Sequence, residues 1–295
     1  MDCGHLYLNL VWSSDLSRLS VKALGGAYLN FSQVGSGFPL VALHGFTGDQ
    51  GTWRAFGDSA SKHYKLVTVD LPGHGESESP GSSDFYTMET HVSALEELLD
   101  HLELEQVAWI GYSLGGRIAL GATLEISNRS AALVLESASP GISELGERAQ
   151  RSEDDQALAN WIEEEGVIKF VNYWEELPMW GSQKRLSKLV RKQLRSQRLQ
   201  NKAIGLANSL RGMGSGAQPQ YYGRLKEINV PTLLLAGAED GKFLQIATEM
   251  HSNISNCSLE VISQSGHCIH LEQPDRFNEL VFKFLKENSH HEATK

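Results

Sequence analysis

Apolar residues in this chain gather into short unbroken runs, and between the runs they recur with a helical period. Pro39-Leu40-Val41-Ala42-Leu43, Lys65-Leu66-Val67-Thr68-Val69-Asp70, Val107-Ala108-Trp109-Ile110, Ala132-Leu133-Val134-Leu135-Glu136-Ser137 and Thr232-Leu233-Leu234-Leu235-Ala236-Gly237 read as strands covered on both faces. Tyr28-Leu29-Asn30-Phe31 alternates like a strand before the turn Val34-Gly35-Ser36-Gly37, and Leu259-Glu260-Val261-Ile262 is the last clear strand. Met88, Val92, Leu95, Leu98, Leu99 and Leu102 are spaced for one helix face behind the imperfect cap Thr87-x-x-Thr90, and 277–285 closes the chain with an amphipathic helix. Strands alternating with helices predict an α/β fold with a mostly parallel sheet and helices on both faces.

The rhythm breaks between 140 and 222. Here the chain is charged and lacks buried-strand runs, and Arg148-Ala149-Gln150-Arg151, Trp161-Ile162, Phe170-Val171-Asn172-Tyr173-Trp174 and 186–194 suggest several helices. We read 140–222 as a helical cap inserted into a core made of 27–139 and 223–286. Residues 1–26 form an N-terminal extension of uncertain structure, in which 6–12 reads as a strand or the remnant of a longer chain, and 287–295 is expected to be a disordered tail. Gly212-Met213-Gly214-Ser215-Gly216 lacks the Lys-Ser/Thr of a phosphate-binding loop and follows a helix pattern, so it reads as a flexible loop.

Composition narrows the partners. A net charge of −10 argues against general nucleic-acid or anionic-membrane binding. No apolar run approaches a membrane span, and the start lacks a basic then apolar secretory pattern. Cys3, Cys257 and Cys268 are odd in number and widely spread, so they read as reduced thiols of a soluble intracellular protein.

The chemistry centres on Gly111-Tyr112-Ser113-Leu114-Gly115-Gly116, between a buried strand and the helix pattern beginning at Arg117. A strand, a tight Gly-x-Ser-x-Gly turn and a helix form a nucleophile elbow: the glycines permit close backbone approach, and the helix start faces developing negative charge. The base for Ser113 is expected from His267, just past the last strand, with His270 as its competitor. Asp240, at a strand's carboxyl end, fits the orienting acid better than the adjacent Glu239. The loop His44-Gly45-Phe46 and the residue after the nucleophile would supply oxyanion-hole N–H groups, from Phe46 and Leu114. His44 reads as a loop brace and His74 as structural, Asp275 as a helix-start residue, and Cys268 lacks a nucleophile's turn signal. No spacing marks a metal site.

Leu43-His44-Gly45-Phe46-Thr47-Gly48, Asp70-Leu71-Pro72-Gly73-His74-Gly75 and Ser265-Gly266-His267 resemble the α/β-hydrolase superfamily over nearly the whole chain after residue 27. Gly111 to Arg117, Ser139-Pro140-Gly141, Glu147 to Arg151, Ala207 to Arg211 with Gly216 to Pro219, and Glu239 to Phe243 look more narrowly like the 2-succinyl-6-hydroxy-2,4-cyclohexadiene-1-carboxylate synthases of menaquinone and phylloquinone biosynthesis. The resemblance implies a cofactor-free lyase with a hydrolase triad, acting on a tri-carboxylate small molecule and eliminating pyruvate. By the family pattern Arg117, Arg151 and Arg198 contact substrate, followed by Tyr112, Trp174 and Lys242. Guanidinium groups suit carboxylates, and Arg117 lies one helical turn beyond Ser113. Such an enzyme works in the chloroplast in phylloquinone synthesis and in the cytoplasm in bacterial menaquinone synthesis. Fusion to, or association with, other enzymes of the pathway stays open. Two alternatives share the triad: a serine hydrolase of an ester or carbon–carbon bond, and a non-catalytic ligand receptor on the same fold.

Overall fold

The computed structural model describes residues 17–288. Eight strands form one sheet: β1 (Ser17–Ser20), β2 (Tyr28–Val34), β3 (Phe38–Leu43), β4 (Tyr64–Asp70), β5 (Val107–Tyr112), β6 (Ser130–Glu136), β7 (Thr232–Gly237) and β8 (Cys257–Ile262). Their order is β1-β2-β4-β3-β5-β6-β7-β8. β1 and β2 pair antiparallel, β2 runs antiparallel to β4, and every other pairing is parallel.

Alternation along the strands divides the core. Val41, Leu43, Val67 and Val69 face one layer with α2 (Met88–His101), α3 (Leu114–Glu125) and α7 (Gly241–Asn253). Leu40, Ala42, Leu66 and Ile110 face the other, with α1 (Arg54–Ala60), α8 (Ile269–Glu272) and α9 (Pro274–Asn288). Parallel strands covered on both faces must be apolar throughout, and β5 and β7 are buried at every residue. Thr87 caps α2 by accepting from the Thr90 N–H. Asp275 stands in the first turn of α9.

Residues 17–26, whose structure the sequence left open, pack onto the core. Ser17–Ser20 add β1 as an edge strand, and beyond it Val21 and Leu24 are buried while the N–H groups of Lys22 and Ala23 each donate to the Glu97 carboxylate at 2.8 Å. The run 6–12 and Cys3 lie outside the described residues. So does the tail beyond Asn288, and α9 continues through Glu287 and Asn288.

Between β6 and β7 the chain leaves the sheet for α4 (Leu145–Glu175), a helical turn over Pro178–Arg185, α5 (Lys188–Leu199) and α6 (Ala203–Met213). Gly166, with φ 81°, interrupts α4. Ala159, Ile162, Phe170 and Val171 pack on Leu206, Ala207 and Leu210 as a separate apolar cluster. Gly212 and Met213 of the glycine stretch belong to α6, and the rest of it turns against α4. A Cβ on Gly214 would stand 2.4 Å from Asp155 Oδ2, and one on Gly216 would stand 2.4 Å from Ser152 N. These glycines exist to let the loop close on α4. No helix among the described residues is long and apolar enough to cross a membrane.

Candidate active site

The turn from β5 into α3 holds Ser113 at φ 51°, ψ −108°, a conformation that costs a non-glycine residue energy. Its surroundings require glycine. A Cβ on Gly111 would meet Gly115 O at 2.4 Å, and one on Gly115 would meet Leu43 O at 2.2 Å. The elbow is pinned by Ser113 N–H donating to Glu136 O at 2.9 Å and by Arg117 N–H donating to Ser113 O at 3.0 Å.

Asp240 and His267 arrive from the carboxyl ends of β7 and β8. His267 Nδ1 is 2.7 Å from Asp240 Oδ2, and His267 Nε2 is 3.0 Å from Ser113 Oγ. The carboxylate accepts from Nδ1–H, which leaves the Nε2 lone pair to accept the serine proton. Asp240 is also the cap of α7, where its Oδ1 accepts from the Phe243 N–H at 3.3 Å. One carboxylate thus starts a helix and fixes the imidazole tautomer. Glu239 points elsewhere, into an ion pair with Arg185.

Three rings enclose His267, which is 1% exposed: Phe243 at 4.5 Å, Tyr112 at 5.5 Å and Trp180 at 5.6 Å between centroids. Burial pushes the Tyr112 hydroxyl well above its ordinary range. Phe243 lay inside a recognised sequence motif, but nothing in its spacing marked it as the residue packed closest on the histidine.

Leu114 opens α3, where the first N–H groups have no partner within the helix. Phe46 follows β3 beside it, since a Cβ on Gly45 would touch both the Tyr112 ring at 2.7 Å and Ser113 Cβ at 3.5 Å. The Phe46 side chain packs on Phe170 and Trp174 of the inserted helices, at 6.1 and 5.5 Å. His44 braces this loop: Nε2 accepts from Leu71 N–H at 3.0 Å, Nδ1 meets Gly45 O at 2.8 Å, and burial lowers its pKa to about 4. His74 lies against it at 5.2 Å, held by Pro72 O and lowered to about 3 by burial first and by His44 second.

The inserted segment supplies a roof. Trp174 and Trp180 lie 5.8 Å apart, and each indole N–H is buried without a hydrogen-bond partner among the described residues. Arg198 is buried, stacks 5.3 Å over Trp180, and is held by Glu175 at 3.1 Å. The other two arginines are engaged by protein groups. Arg117 donates to Met213 O at 2.6 Å and Gln218 Oε1 at 2.8 Å, tying α3 to the glycine loop. Burial lowers its pKa to about 10, which leaves it cationic at neutral pH. Arg151 pairs with the buried Asp155 at 2.8 Å. Lys242 is exposed, its Nζ 5.9 Å from the Phe243 ring. A cleft of about 250 Å³ opens beside Asp240, lined by Met179, Ser182, Arg185, Glu239 and Gly266. It reaches the acid and not the nucleophile.

His270 is outside the triad. It pairs with Glu136 at 2.7 Å, and Cys268 Sγ lies 3.6 and 3.9 Å from its two ring nitrogens. Glu136, Cys268 and His270 thus gather three metal-capable atoms within 4.8 Å of one another. The sulfur straddles the ring instead of lining up with Nε2, and Nδ1 is committed to the carboxylate, so the donor set does not fit a metal.

A mostly parallel sheet bearing a serine elbow, a carboxylate after β7 and a histidine after β8, in that chain order, defines a serine-triad protein of the α/β-hydrolase class. The chain matches the alpha/beta hydrolase fold family over residues 39–274. It is 44% identical over 83% of its length to a Bacillus subtilis protein, of which 89% is covered and which carries the provisional name 2-succinyl-6-hydroxy-2,4-cyclohexadiene-1-carboxylate synthase. It is 30% identical over 84% of its length to the chloroplastic protein PHYLLO of Arabidopsis thaliana, but spans only 15% of that much longer chain. The solved structure of MenH from S. aureus superposes with a TM-score of 0.84 at 37% identity, covering 89% of this chain and 99% of that one. The chain belongs to the 2-succinyl-6-hydroxy-2,4-cyclohexadiene-1-carboxylate synthase family of the α/β-hydrolase superfamily.

Proposed function

We propose that the protein eliminates pyruvate from 2-succinyl-5-enolpyruvyl-6-hydroxy-3-cyclohexene-1-carboxylate to give 2-succinyl-6-hydroxy-2,4-cyclohexadiene-1-carboxylate. The observation that carries this reading is a complete Ser113–His267–Asp240 relay beneath a roof of two unpartnered indole donors and a buried arginine. An ester hydrolase needs the relay; a polyanionic substrate needs the roof as well.

In this reading His267 Nε2 takes the Ser113 proton as the serine oxygen takes the ring proton beside the succinyl carbonyl. The electrons of that C–H bond become a ring double bond, the existing double bond shifts by one position, and the carbon–oxygen bond to the enolpyruvyl group breaks. The departing enolate takes a proton and becomes pyruvate. The backbone N–H groups of Phe46 and Leu114 stabilise the carbonyl oxygen as it gains charge. Arg198, together with Arg117 and Arg151, offers guanidinium groups to the carboxylates, and Tyr112, Trp174 and Lys242 complete the contacts. The chemistry is acid–base throughout, and the residues named supply each step.

The test is pyruvate release from the enzymatically prepared substrate, with the Ser113→Ala protein in parallel. Release well above the spontaneous rate, lost in the variant while substrate still binds, is the expected result. No release by the folded wild-type protein would return the site to ester or carbon–carbon hydrolysis.

A further inference from the structure

We propose that the outer face of α5 is a cationic track that captures the polyanionic substrate from solution and passes it along the helix to Arg198. This rests on the tri-carboxylate reading above and extends it from the site to the surface that feeds it.

Charge is sharply segregated in the inserted segment. Residues 184–202 carry eight basic side chains and no acidic one, in a chain whose net charge is −10. α4, packed beside α5, carries eight acidic and three basic side chains. Within α5 the cations fall at Lys188, Arg191, Lys192, Arg195 and Arg198. Those spacings confine them to a sector of about 120° of the helix surface. Lys188, Arg191 and Lys192 are exposed, Arg195 is half-buried and Arg198 is buried. The stripe therefore runs from solvent inward.

The outer cations are uncompensated. Among the described residues, Lys188, Arg191 and Lys192 have no carboxylate within ion-pair distance, while Arg195 and Arg198 share the single Glu175. Like charges three and four apart repel and destabilise the helix that carries them. Glu175 answers the inner end of the stripe, and Gln197 ties α5 to Asp49 and Thr52, but among the described residues no such contact reaches the three outer cations, which are left free to meet an anion. Successive charges are at most about 4.5 Å apart along the axis, inside the Debye length of about 8 Å at physiological ionic strength, so their potentials overlap into one field. The inner end is the active site: Arg198 stacks on Trp180, and Trp180 packs on His267. An anion attracted to Lys188 thus meets rising confinement along the stripe until it reaches the triad.

The experiment is pyruvate release by the wild-type protein and by a Lys188→Glu, Arg191→Glu, Lys192→Glu triple variant, from low to high ionic strength. None of the three side chains belongs to the site. The wild-type kcat/KM should fall about tenfold as salt rises, and the triple variant should start about tenfold lower and respond weakly to salt, with kcat unchanged. A charge-preserving triple, Lys188→Arg, Arg191→Lys, Lys192→Arg, should behave as wild type. A wild-type kcat/KM indifferent to salt, or a triple variant equal to wild type, overturns the proposal. Unchanged kcat/KM combined with loss of a sedimenting dimer also overturns it and assigns the stripe to a second copy of the chain. Failure of the substrate reading looks different: the wild-type protein releases no pyruvate at any ionic strength, and the proposal falls with it.

Discussion

Glu136 grips His270 at two points. One carboxylate oxygen accepts from the His270 backbone N–H at 3.0 Å and the other meets its ring Nδ1 at 2.7 Å. The backbone carbonyl of the same glutamate accepts from the N–H of Ser113 at 2.9 Å. A single residue at the end of β6 therefore fastens the nucleophile's turn with its main chain and the segment following His267 with its side chain. The pair is buried, and the carboxylate and the neighbouring thiol hold the His270 imidazole well above its usual pKa against the opposing effect of desolvation. Tyr112 stands edge-on to His270 at 4.9 Å and also touches His267 at 5.5 Å, so displacement of His270 reaches the base directly.

Glu136→Gln should accordingly slow Ser113 more than it loosens the fold. The amide keeps one acceptor but turns a donor toward Nδ1, and a buried imidazolium left without its counterion is costly, on the order of 3 kcal/mol. The imidazole escapes much of that cost by losing its proton, after which it no longer holds the 267–270 segment. We expect about tenfold slower labelling of Ser113 by a fluorophosphonate, with a native near-UV circular dichroism spectrum. KM for substrate should barely move, because Glu136 faces no substrate volume. Labelling at the wild-type rate would make the pair a packing feature only.

Why the sequence pointed to Ser113 and not to Glu136 follows from what each signal measures. The elbow is local: strand, glycines and helix start lie within a few residues, and the steric reasons for Gly111 and Gly115 hold wherever the turn occurs. Asp240 and His267 were legible because each follows a strand pattern, fully buried in β7 and half-exposed in β8, whose carboxyl end must face the ligand edge. Glu136 also ends such a run, but its partner is 134 residues away, and no spacing reports that pairing. β1 was missed because Ser17–Ser20 alternates half-buried with exposed positions on a sheet edge and has no apolar run to announce it. The inserted helices were visible in outline, yet the partners of Arg117 are Met213 and Gln218, set by how the glycine loop closes. Charge alone could not separate an arginine that ties two elements together from one that faces a ligand.

Arg198 is the arginine whose surroundings most resemble a ligand contact. Its charge is only partly answered by Glu175, which also serves Arg195, and its flat face lies on Trp180. Arg198→Lys keeps the charge but loses the planar fork and most of the stacking. We expect KM to rise about tenfold with kcat within a factor of two or so, the pattern of a contact made equally in ground and transition states. Arg198→Ala should raise KM further and leave Glu175 without its buried partner, lowering the melting temperature as well. A lysine variant with wild-type KM would remove Arg198 from the carboxylate contacts.

Gly115→Ala tests the elbow by sterics alone. The added methyl would lie 2.2 Å from Leu43 O and 2.5 Å from His44 O, both backbone atoms that cannot swing aside. Relief requires moving α3 away from β3, and with it the Leu114 N–H from the Phe46 loop. The expected cost is about 3 kcal/mol, at the upper end for an overpacked methyl, read as a lower urea midpoint with unchanged m-value. Whatever folds should show reduced kcat, because the two oxyanion donors no longer converge. An active protein of wild-type stability would mean the loop and the helix start are not in the contact described.

Acid stability should be governed by three histidines that never touch substrate. His44, His74 and His91 are all buried, and desolvation lowers their pKa values from 6.5 to about 4, 3 and 4. In the unfolded chain each takes up a proton as pH falls through about 6.5, and in the folded protein none does until about pH 4. The stability they contribute is complete above pH 6.5 and is lost progressively as pH falls between the two values. His270 has the opposite sign: its folded pKa is raised, so its contribution is present below 6.5 and lost only as pH rises. At pH 5 it is protonated in both states and drops out. Unfolding at pH 5 should therefore take up about three protons from these groups, a slope of about 4 kcal/mol per pH unit. Urea denaturation at closely spaced pH values between 4.5 and 6 would measure it, and His74→Asn should reduce the uptake by one proton. A slope near zero over that interval would mean that the histidines behind the Phe46 loop are reached by water.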